Sequence, residues 1–119
     1  MNRWLLKGIW YMEKIALVYT LVGSKEEATS LAKGLIQNQQ AACVNIFPCQ
    51  SVYEWEGQIQ ESNEWALLIK TSFEQCQALC DYLSKNHSYQ IPAILCHDQI
   101  QSLSPFANWV NQQLKLPMI

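Results

Sequence analysis

The sequence predicts an α+β domain of the ferredoxin-like type, in which an antiparallel sheet has two helices on one face. Three observations predict this fold: strand and helix patterns follow the order β-α-β-β-α-β, each helix has one apolar stripe, and a short turn joins the two middle strands. A short C-terminal helix is expected after the last strand. With 119 residues, 50% of them hydrophobic, the chain fits one folding unit.

The first strand is predicted at residues 15–22, IALVYTLV, because this apolar, β-branched run suits a strand covered on both faces. A helix over residues 24–39 follows, and its Ser24 and Glu27 have the spacing of a capping box. Apolar residues at helical spacing predict one buried stripe on this helix, made of Ala28, Leu31, Ala32, Leu35 and Ile36.

A long hairpin is predicted for residues 42–71. Its first arm, AACVNIF and SVYEWE, is expected to break at Pro48, and the turn is placed at residues 56–58, EGQ. The second arm ends in EWALLIKT. Strands of ten or more residues, at about 3.3 Å per residue, are longer than the core of so small a domain. The tip of the hairpin should therefore project from the domain.

The projecting hairpin predicts that the chain assembles with copies of itself. It carries Tyr53, Trp55 and Trp65, and exposed aromatic side chains on a long edge strand invite pairing with another chain. A closed homo-oligomer is favoured over an open one, because head-to-tail contacts that do not close produce fibres. The alternative is that the terminal helix, through Trp109, covers these aromatics within one chain.

The second half repeats the strand and helix pattern. A second helix is predicted after Ser72, which has capping-box spacing to Gln75, and a strand is predicted at residues 93–100. The terminal helix is expected to begin at Ser104 and Pro105. The apolar stripe of the second helix is expected to contain Cys76, Leu79, Cys80 and Leu83.

Composition and charge exclude several classes of partner. Eight Lys and Arg against ten Asp and Glu give a net charge of -2, and the absence of a basic run argues against nucleic acid. The apolar start MNRWLLKGIWY is too short to cross a bilayer, so no membrane partner is expected. Five cysteines without framework spacing or a secretory signal predict reduced thiols and a cytoplasmic location.

The N-terminal residues form a separate segment in this interpretation. Met12 stands directly before the first strand pattern and is a candidate start of translation. Residues 1–12 are therefore predicted to be an extension, and residues 13–119 to be the single domain.

Lys70 is the most informative single residue, because ALLIKT places an ammonium group inside an apolar strand. Burial of a charge without a partner is costly, so a negative group is expected nearby. Glu61 and Glu64 are the candidate partners within the hairpin, and an anionic ligand is another. The alternative is that the side chain of Lys70 extends along the strand to reach water.

His87 lies between the second helix and the last strand, with Tyr89 two residues on. One imidazole is weak evidence for a metal site, which usually needs three or four ligands, and no cysteine spacing here resembles a zinc site. The sequence also lacks a nucleophile motif and a glycine-rich phosphate loop, so catalysis is not predicted. The residues alone indicate a polar pocket of His87, Tyr89, Lys70 and hairpin carboxylates.

Three segments, AACVNIFP, SVYEWEGQIQESNEWALLIKT and HSYQIPAI, at these separations, resemble the CutA family of divalent-cation tolerance proteins. The match runs from about residue 14 to residue 115. Its most distinctive block is the central hairpin, with Tyr53, Trp55, Glu56, Gly57, Glu61, Lys70 and Thr71.

The resemblance implies a ferredoxin-like subunit that assembles into a tight homotrimer through the hairpin. It also implies a role in metal tolerance, with copper as the first candidate ion and no catalysed reaction. The implied ligand pocket lies between subunits and comprises Tyr53, Trp55, Glu61, Lys70, His87 and Tyr89.

The chain departs from the family pattern at several of these positions. Ser88 replaces a proline that would stiffen the turn, and Ala93 stands where a glutamate is usual. A copper site of the family's kind would use a cysteine near the end of the first strand and a histidine pair, where this chain has Tyr19, Asn86 and His87. His87 is therefore the remaining candidate metal ligand.

Four functional hypotheses follow. The first is a non-enzymatic, cytoplasmic homotrimer that responds to divalent metal ions, copper above all, with no certain cofactor. The second, by analogy of fold with trimeric nitrogen-regulatory proteins, is a sensor in which Lys70 binds a small anion. The third is an enzyme with His87 as general acid or base, and the fourth is a scaffold whose pocket residues only bind one another.

Overall fold

The computed structural model describes residues 11–115, so residues 1–10 of the predicted extension and residues 116–119 lie outside the described part of the chain. The elements follow the predicted order, with an additional 3-10 turn, Phe73–Gln75, before the second helix. They are β1 (Met12–Val22), α1 (Lys25–Gln37), β2 (Cys43–Trp55), β3 (Gln58–Thr71), α2 (Cys76–Asn86), β4 (Ile94–Leu103) and α3 (Ser104–Gln113).

The four strands form one antiparallel sheet in the order β2-β3-β1-β4, which confirms the predicted ferredoxin-like arrangement. The long central strands, β1 and β3, pair from Ala16 with Thr71 to Val22 with Trp65. β1 begins at Met12, which pairs with Leu103 of β4, so the sheet includes the last residue of the predicted extension.

The main hydrophobic core lies between the sheet and the two helices α1 and α2. Alternate side chains of β1 and β3 point to this face, because successive side chains of a strand point to opposite sides. The predicted stripes of both helices meet them there, except for Ile36 of α1, which is exposed and was wrongly assigned to the stripe. The core contains Val18, Val22, Ala28, Leu31, Ala32, Leu35, Ala41, Leu67, Ile69, Leu79 and Leu83.

A smaller core lies under α3. Ala107, Val110 and Leu114 of this helical segment pack with Ile15 and Ala42. The aromatic residues Phe106 and Trp109 stack on each other, with ring centroids 5.7 Å apart, and each remains 39% exposed. The terminal helix therefore does not cover the hairpin aromatics, and that alternative from the sequence is wrong for Tyr53 and Trp55, which stay exposed.

The two predicted capping boxes behave differently. At α1 the Ser24 Oγ accepts a hydrogen bond from the Glu27 backbone N–H at 3.1 Å, as predicted, although the Glu27 carboxylate binds Ser88 instead of returning to Ser24. At α2 the prediction is wrong, because Ser72 makes no side-chain cap and its buried Oγ has no partner. The 3-10 turn moves the start of α2 to Cys76.

Two further corrections concern the hairpin. β2 runs without a break through Pro48, which pairs with Trp65. A proline is tolerated there because β2 is an edge strand, with a neighbour on one side only. The turn has two residues rather than three: Glu56 and Gly57 both have positive φ, 52° and 78°, as a tight hairpin turn requires, and Gln58 already belongs to β3.

The distal half of the hairpin projects beyond the core, as predicted. The domain measures 58 × 28 × 21 Å along its principal axes. Trp55 is 60% exposed and Ile59 is 80% exposed. Trp65 differs from the prediction, because it packs against the main core and lies under the Lys25 ammonium group, which is 5.7 Å from the ring centroid.

Gly34 marks the closest approach of α1 to α2. A Cβ built on Gly34 would overlap the hydroxyl of Tyr82 and lie 2.9 Å from Cζ of the same ring. We expect Gly34→Ala to lower the free energy of unfolding by about 1–3 kcal/mol, because the cost of overpacking exceeds the roughly 1 kcal/mol by which alanine favours a helix.

In a Tyr82→Ala background the overlap is removed, so the same Gly34→Ala change should stabilise the protein by up to about 1 kcal/mol. Urea unfolding of the wild type, Gly34→Ala, Tyr82→Ala and the double variant, at one protein concentration, measures this change of sign. An equal effect of Gly34→Ala in both backgrounds would contradict the close packing of the two helices.

Candidate functional site

A cleft of about 900 Å³ opens beside the hairpin. Its walls come from β2 and β3, from the end of β1 and from the loop between α2 and β4. It is lined by Leu21, Tyr53, Trp55, Gln60, Ser62, Asn63, Glu64, Tyr89, Gln90, Ile91 and Ala93.

The structure brings together three of the six predicted pocket residues within one chain. Tyr53, Trp55 and Tyr89 line the cleft. The other three, Glu61, Lys70 and His87, are not among the lining residues of the cleft. Each lies outside it for a different physical reason.

Glu61 is placed by the register of the hairpin. The turn pairs Tyr53 with Gln60 and Val52 with Glu61. Paired residues share a face of a sheet and consecutive residues alternate, so Glu61 lies on the opposite face from Tyr53. The hydroxyl of Tyr53 instead contacts Ser62 Oγ, at 2.9 Å.

Lys70 lies at the far end of β3 from the cleft. Its Nζ donates to the Cys43 Sγ at 3.8 Å, across the pairing of β3 with β2. Glu64 precedes it by six positions in the same strand, a separation of roughly 20 Å, and Glu61 is farther still. Within one chain, neither predicted carboxylate partner can reach the ammonium group.

His87 is partly buried, and both of its ring nitrogens are engaged. Nδ1 accepts a hydrogen bond from the Tyr89 backbone N–H at 3.1 Å, and Nε2 lies 3.2 Å from the Thr20 Oγ1. A nitrogen that accepts cannot carry the proton of a neutral imidazole, so the proton belongs on Nε2 and is donated to Thr20. In this arrangement His87 closes the turn that positions Tyr89, whose ring centroid is 5.0 Å away.

The turn at Ser88 is held by α1. The Ser88 backbone N–H and Oγ donate to the two carboxylate oxygens of Glu27, at 3.0 and 2.8 Å. A proline at this position would lack the N–H donor. The replacement of the family's proline was expected to loosen the turn, whereas this two-point hydrogen bond fixes it.

Tyr89 and Glu64 form the central polar contact of the cleft. The Tyr89 hydroxyl donates to Glu64 Oε2 at 2.8 Å. Burial, followed by the Glu64 carboxylate, raises the pKa of Tyr89 to about 12. Burial, followed by the neighbouring Cys49 thiol, also raises the pKa of Tyr19. Both phenols therefore stay neutral at physiological pH, while a carboxylate remains beside them.

This set of groups suits a cation or a hydrogen-bond donor better than an anion, because Glu64 supplies an acceptor and none of the described Lys residues lines the cleft. In the part of the chain that the structure describes, no group of three or more His, Cys, Asp or Glu stands ready to hold a metal ion. Within residues 11–115, no helix is long and apolar enough to cross a membrane.

Ser62 is a cleft residue that the sequence did not assign, and Glu64 was named only as a hairpin carboxylate beside Lys70. A signal for them was present in the turn. Once Glu56 and Gly57 are taken as a two-residue turn, counting back along both strands puts Gln60, Ser62 and Glu64 on the face of Tyr53. Ile91 and Gln90 carried no such signal, because the path of their loop is set by tertiary contacts.

Cys76 and Cys80 are not activated nucleophiles. Burial, followed by a hydrogen bond with Cys96, raises the pKa of Cys76 to about 12. Burial and Cys96 also raise the pKa of Cys80. The thiolate is the nucleophilic form, so these two thiols are inert as nucleophiles at neutral pH.

The contact of Tyr89 with Glu64 predicts how the stability of the folded protein depends on pH. Tyr89 has its pKa raised from 10.0 to about 12 in the folded protein, so stability should fall as pH rises through this interval, where the unfolded chain has already lost the proton. Glu64→Gln should lower the pKa of Tyr89, although burial should keep it above the ordinary value. The titration of Tyr89 is measured as the part of the pH-dependent phenolate absorbance that disappears in Tyr89→Phe.

Glu61→Gln is the matched control, since it removes a carboxylate from the same strand on the opposite face. A Tyr89 titration that is unchanged by Glu64→Gln, or shifted equally by Glu61→Gln, would show that Glu64 does not act on the phenol.

Comparison with known proteins gives a consistent result. A family model described as CutA1 divalent ion tolerance protein matches residues 16–113. The divalent-cation tolerance protein CutA of Archaeoglobus fulgidus is 36% identical over 98 residues, which cover 82% of this chain and 96% of that protein. The protein of the same description from Thermotoga maritima is 33% identical over 98 residues, with 82% and 97% covered.

Solved structures agree with these relatives. The CutA1 structure from Ehrlichia chaffeensis superposes with a TM-score of 0.81 at 33% identity, and covers 87% of this chain and 98% of that one. A structure from Archaeoglobus fulgidus, described as a periplasmic divalent cation tolerance protein, has a TM-score of 0.79 at 35% identity, with 84% and 98% covered. The matched strands and helices include every wall of the cleft, and the chain belongs to the CutA1 divalent ion tolerance family.

Proposed function

We propose that this protein is a homotrimer of the cytoplasm that takes part in tolerance of divalent metal ions, copper above all, without catalysing a reaction. Membership of the family supports the tolerance function. The main support for the assembly is the projecting hairpin, whose exposed apolar surface lies directly beside the cleft.

The hairpin surface requires a partner on physical grounds. Val52, Trp55 and Ile59 are each 60% exposed or more, and they lie on β2 and β3 beyond the core. β2 is also an edge strand with free pairing capacity. Trp55 lies on the cleft face of the hairpin, and Val52 and Ile59 lie on the opposite face. Copies of the chain that pack on both faces would cover these side chains, and the copy on the cleft face would close the open side of the cleft, so the ligand pocket becomes a feature of the trimer.

A ligand in that pocket would meet Glu64, Tyr89 and Tyr53 from one chain. His87 stays the first candidate for a soft metal, since its ring lies against Tyr89. A copper ion would have to replace Thr20 at Nε2. That exchange costs about 1 kcal/mol, the typical worth of one hydrogen bond, so the existing contact does not prevent coordination.

Absence of catalysis is supported by the environment of the candidate groups. The relatives are described as tolerance proteins. Among residues 11–115, the hydroxyl that contacts His87 Nε2 belongs to Thr20, which is fully buried. A nucleophile must reach its substrate, so this pair of groups cannot act as a base and nucleophile on a bound molecule.

A cytoplasmic location is supported by the thiols. The five cysteines are an odd number without framework spacing, which is the pattern of reduced thiols. Cysteines persist in this state in reducing compartments. The periplasmic description of the Archaeoglobus fulgidus structure applies to that protein.

The anion-sensor hypothesis retains one supporting observation. Lys70 is only partly buried, and its Nζ donates to a thiol rather than to a carboxylate. A small anion bound between subunits would supply a negative charge that the described residues do not bring to the Lys70 ammonium group. The scaffold hypothesis, in which the pocket binds nothing, remains the alternative to both.

The assembly predicts a specific effect of charge on the hairpin. Light scattering should give three times the mass of one chain for the wild type, and Trp55→Glu should shift the mass towards one chain, because a carboxylate would be buried without a partner. Phe73→Glu is the matched control: Phe73 is 61% exposed against 60% for Trp55, but lies off the hairpin. A monomeric wild type, or dissociation by Phe73→Glu alone, would refute this assembly.

If His87 coordinates copper, replacement of this histidine should weaken copper binding. Calorimetric titration with copper(II) should show binding heat in the wild type, in His97→Ala and in Lys70→Ala, and should show at least a tenfold weaker affinity in His87→Ala. His97 is the matched control, because it is an exposed histidine on β4. Binding of inorganic phosphate that is lost in Lys70→Ala, without binding of copper, would instead support the anion sensor.

A further inference from the structure

Glu64 brings a carboxylate into the cleft without a cationic partner among residues 11–115. The side chain is partly buried, and its Oε2 accepts the hydrogen bond of the Tyr89 hydroxyl at 2.8 Å. Nearby lysines are engaged elsewhere: Lys70 donates to a thiol at the far end of β3, and Lys25 lies over an indole ring on the other face of the sheet. A carboxylate accepts at two oxygens, so Glu64 can accept a further donor from a bound molecule.

Aromatic rings line the same cleft. Tyr53, Trp55 and Tyr89 are lining residues, and the hydroxyls of both tyrosines are already hydrogen-bonded. That of Tyr53 contacts Ser62 Oγ at 2.9 Å, and that of Tyr89 binds Glu64. The face of an aromatic ring carries partial negative charge and attracts a cation. The rings and the carboxylate therefore favour the same sign of charge in a ligand.

The remaining wall of the cleft is partly apolar. Leu21, Ile91 and Ala93 are lining residues, and Ile91 is 83% exposed in the single chain. A ligand with an apolar body would remove this surface from water, which favours binding. A hydrated metal ion has no such body and would gain nothing from these side chains.

The number of carboxylates and the size of the cleft distinguish an organic cation from a metal ion. Among the described lining residues Glu64 is the one carboxylate, and it balances one positive charge. Calcium and magnesium take about six or more oxygen ligands, and no group of three or more His, Cys, Asp or Glu is present among residues 11–115. The volume of about 900 Å³ is that of a site for a small organic molecule.

We propose that the cleft binds a small primary amine in its protonated form. The ammonium group donates to the Glu64 carboxylate, and the apolar body of the amine packs against Tyr53, Trp55 and Ile91. A primary ammonium group has three N–H donors, so one can bind Glu64 while another reaches the side-chain oxygen of Gln60, which also lines the cleft. A neutral alcohol lacks the charge, and an anion is repelled by Glu64.

This inference names a ligand class for the proposed pocket, and it rests on the proposed function only for the assembly that would close the cleft. A copy of the chain that excludes water there would strengthen the attraction between Glu64 and the ammonium group. Neither His87 nor copper takes part. The mass of the assembly and the copper titration test the proposed function, whereas an amine titration without copper tests this inference, so each can fail separately.

The test uses three probes with the same phenyl ring and different charge: phenethylamine, phenethyl alcohol and hydrocinnamate. Calorimetric titration of the wild type at pH 7, where the amine is protonated, should give at least about tenfold tighter binding for phenethylamine than for the other two, because hydrogen bonds to charged groups are the strong ones. This comparison needs no variant. Equal or tighter binding of hydrocinnamate would overturn the proposal, and so would a cleft that takes up no amine because a neighbouring copy fills it.

Glu64→Gln and Glu61→Gln are the matched variants. Glu64→Gln keeps the size of the side chain and an acceptor for Tyr89 but removes the charge, so the preference for phenethylamine over phenethyl alcohol should disappear. Glu61→Gln removes the same charge from the opposite face of β3 and should keep the preference. Far-ultraviolet circular dichroism checks the fold of both. A preference that survives Glu64→Gln, or is lost equally in Glu61→Gln, would show that Glu64 does not select the amine.

Discussion

The pairing of β2 with β3 is the interaction on which the rest of this structure depends. It runs from Cys43 with Lys70 to Trp55 with Gln58 and continues well beyond the core that α1 and α2 cover. Each added pair satisfies backbone groups, but the distal pairs have no second layer against which to bury their side chains. The domain consequently has a projecting arm with apolar side chains in water, and the proposed trimer is the simplest way to cover them.

The same pairing decides which side chains can share a site. Because the tight turn at Glu56 and Gly57 fixes the register, Tyr53 faces the cleft with Ser62 and Glu64, while Glu61 faces away. The loop after α2 adds the other wall, held by Glu27 at Ser88 and by Thr20 at His87. The cleft is therefore preorganised by hydrogen bonds from three elements, with the Tyr89 hydroxyl donating to the Glu64 carboxylate inside it.

The sequence by itself determined the order of the elements, the two helices on one face and the projecting hairpin, because hydrophobic period and turn residues act locally. The resemblance to the CutA family placed Tyr53, Trp55 and Tyr89 in one predicted pocket, and these three residues line one cleft. The sequence placed Lys70 beside carboxylates that lie far along the same strand, and it treated Trp65 as exposed when the core and Lys25 cover it.

Only the tertiary structure decided the ring contacts of His87, the support of Ser88 by Glu27, and the meeting of Cys96 with Cys76 and Cys80. These contacts join residues from 2 to 67 positions apart along the chain. Local pattern carries no information about which distant elements meet, since that is fixed by how the two helices and the edge strand pack on one shared core.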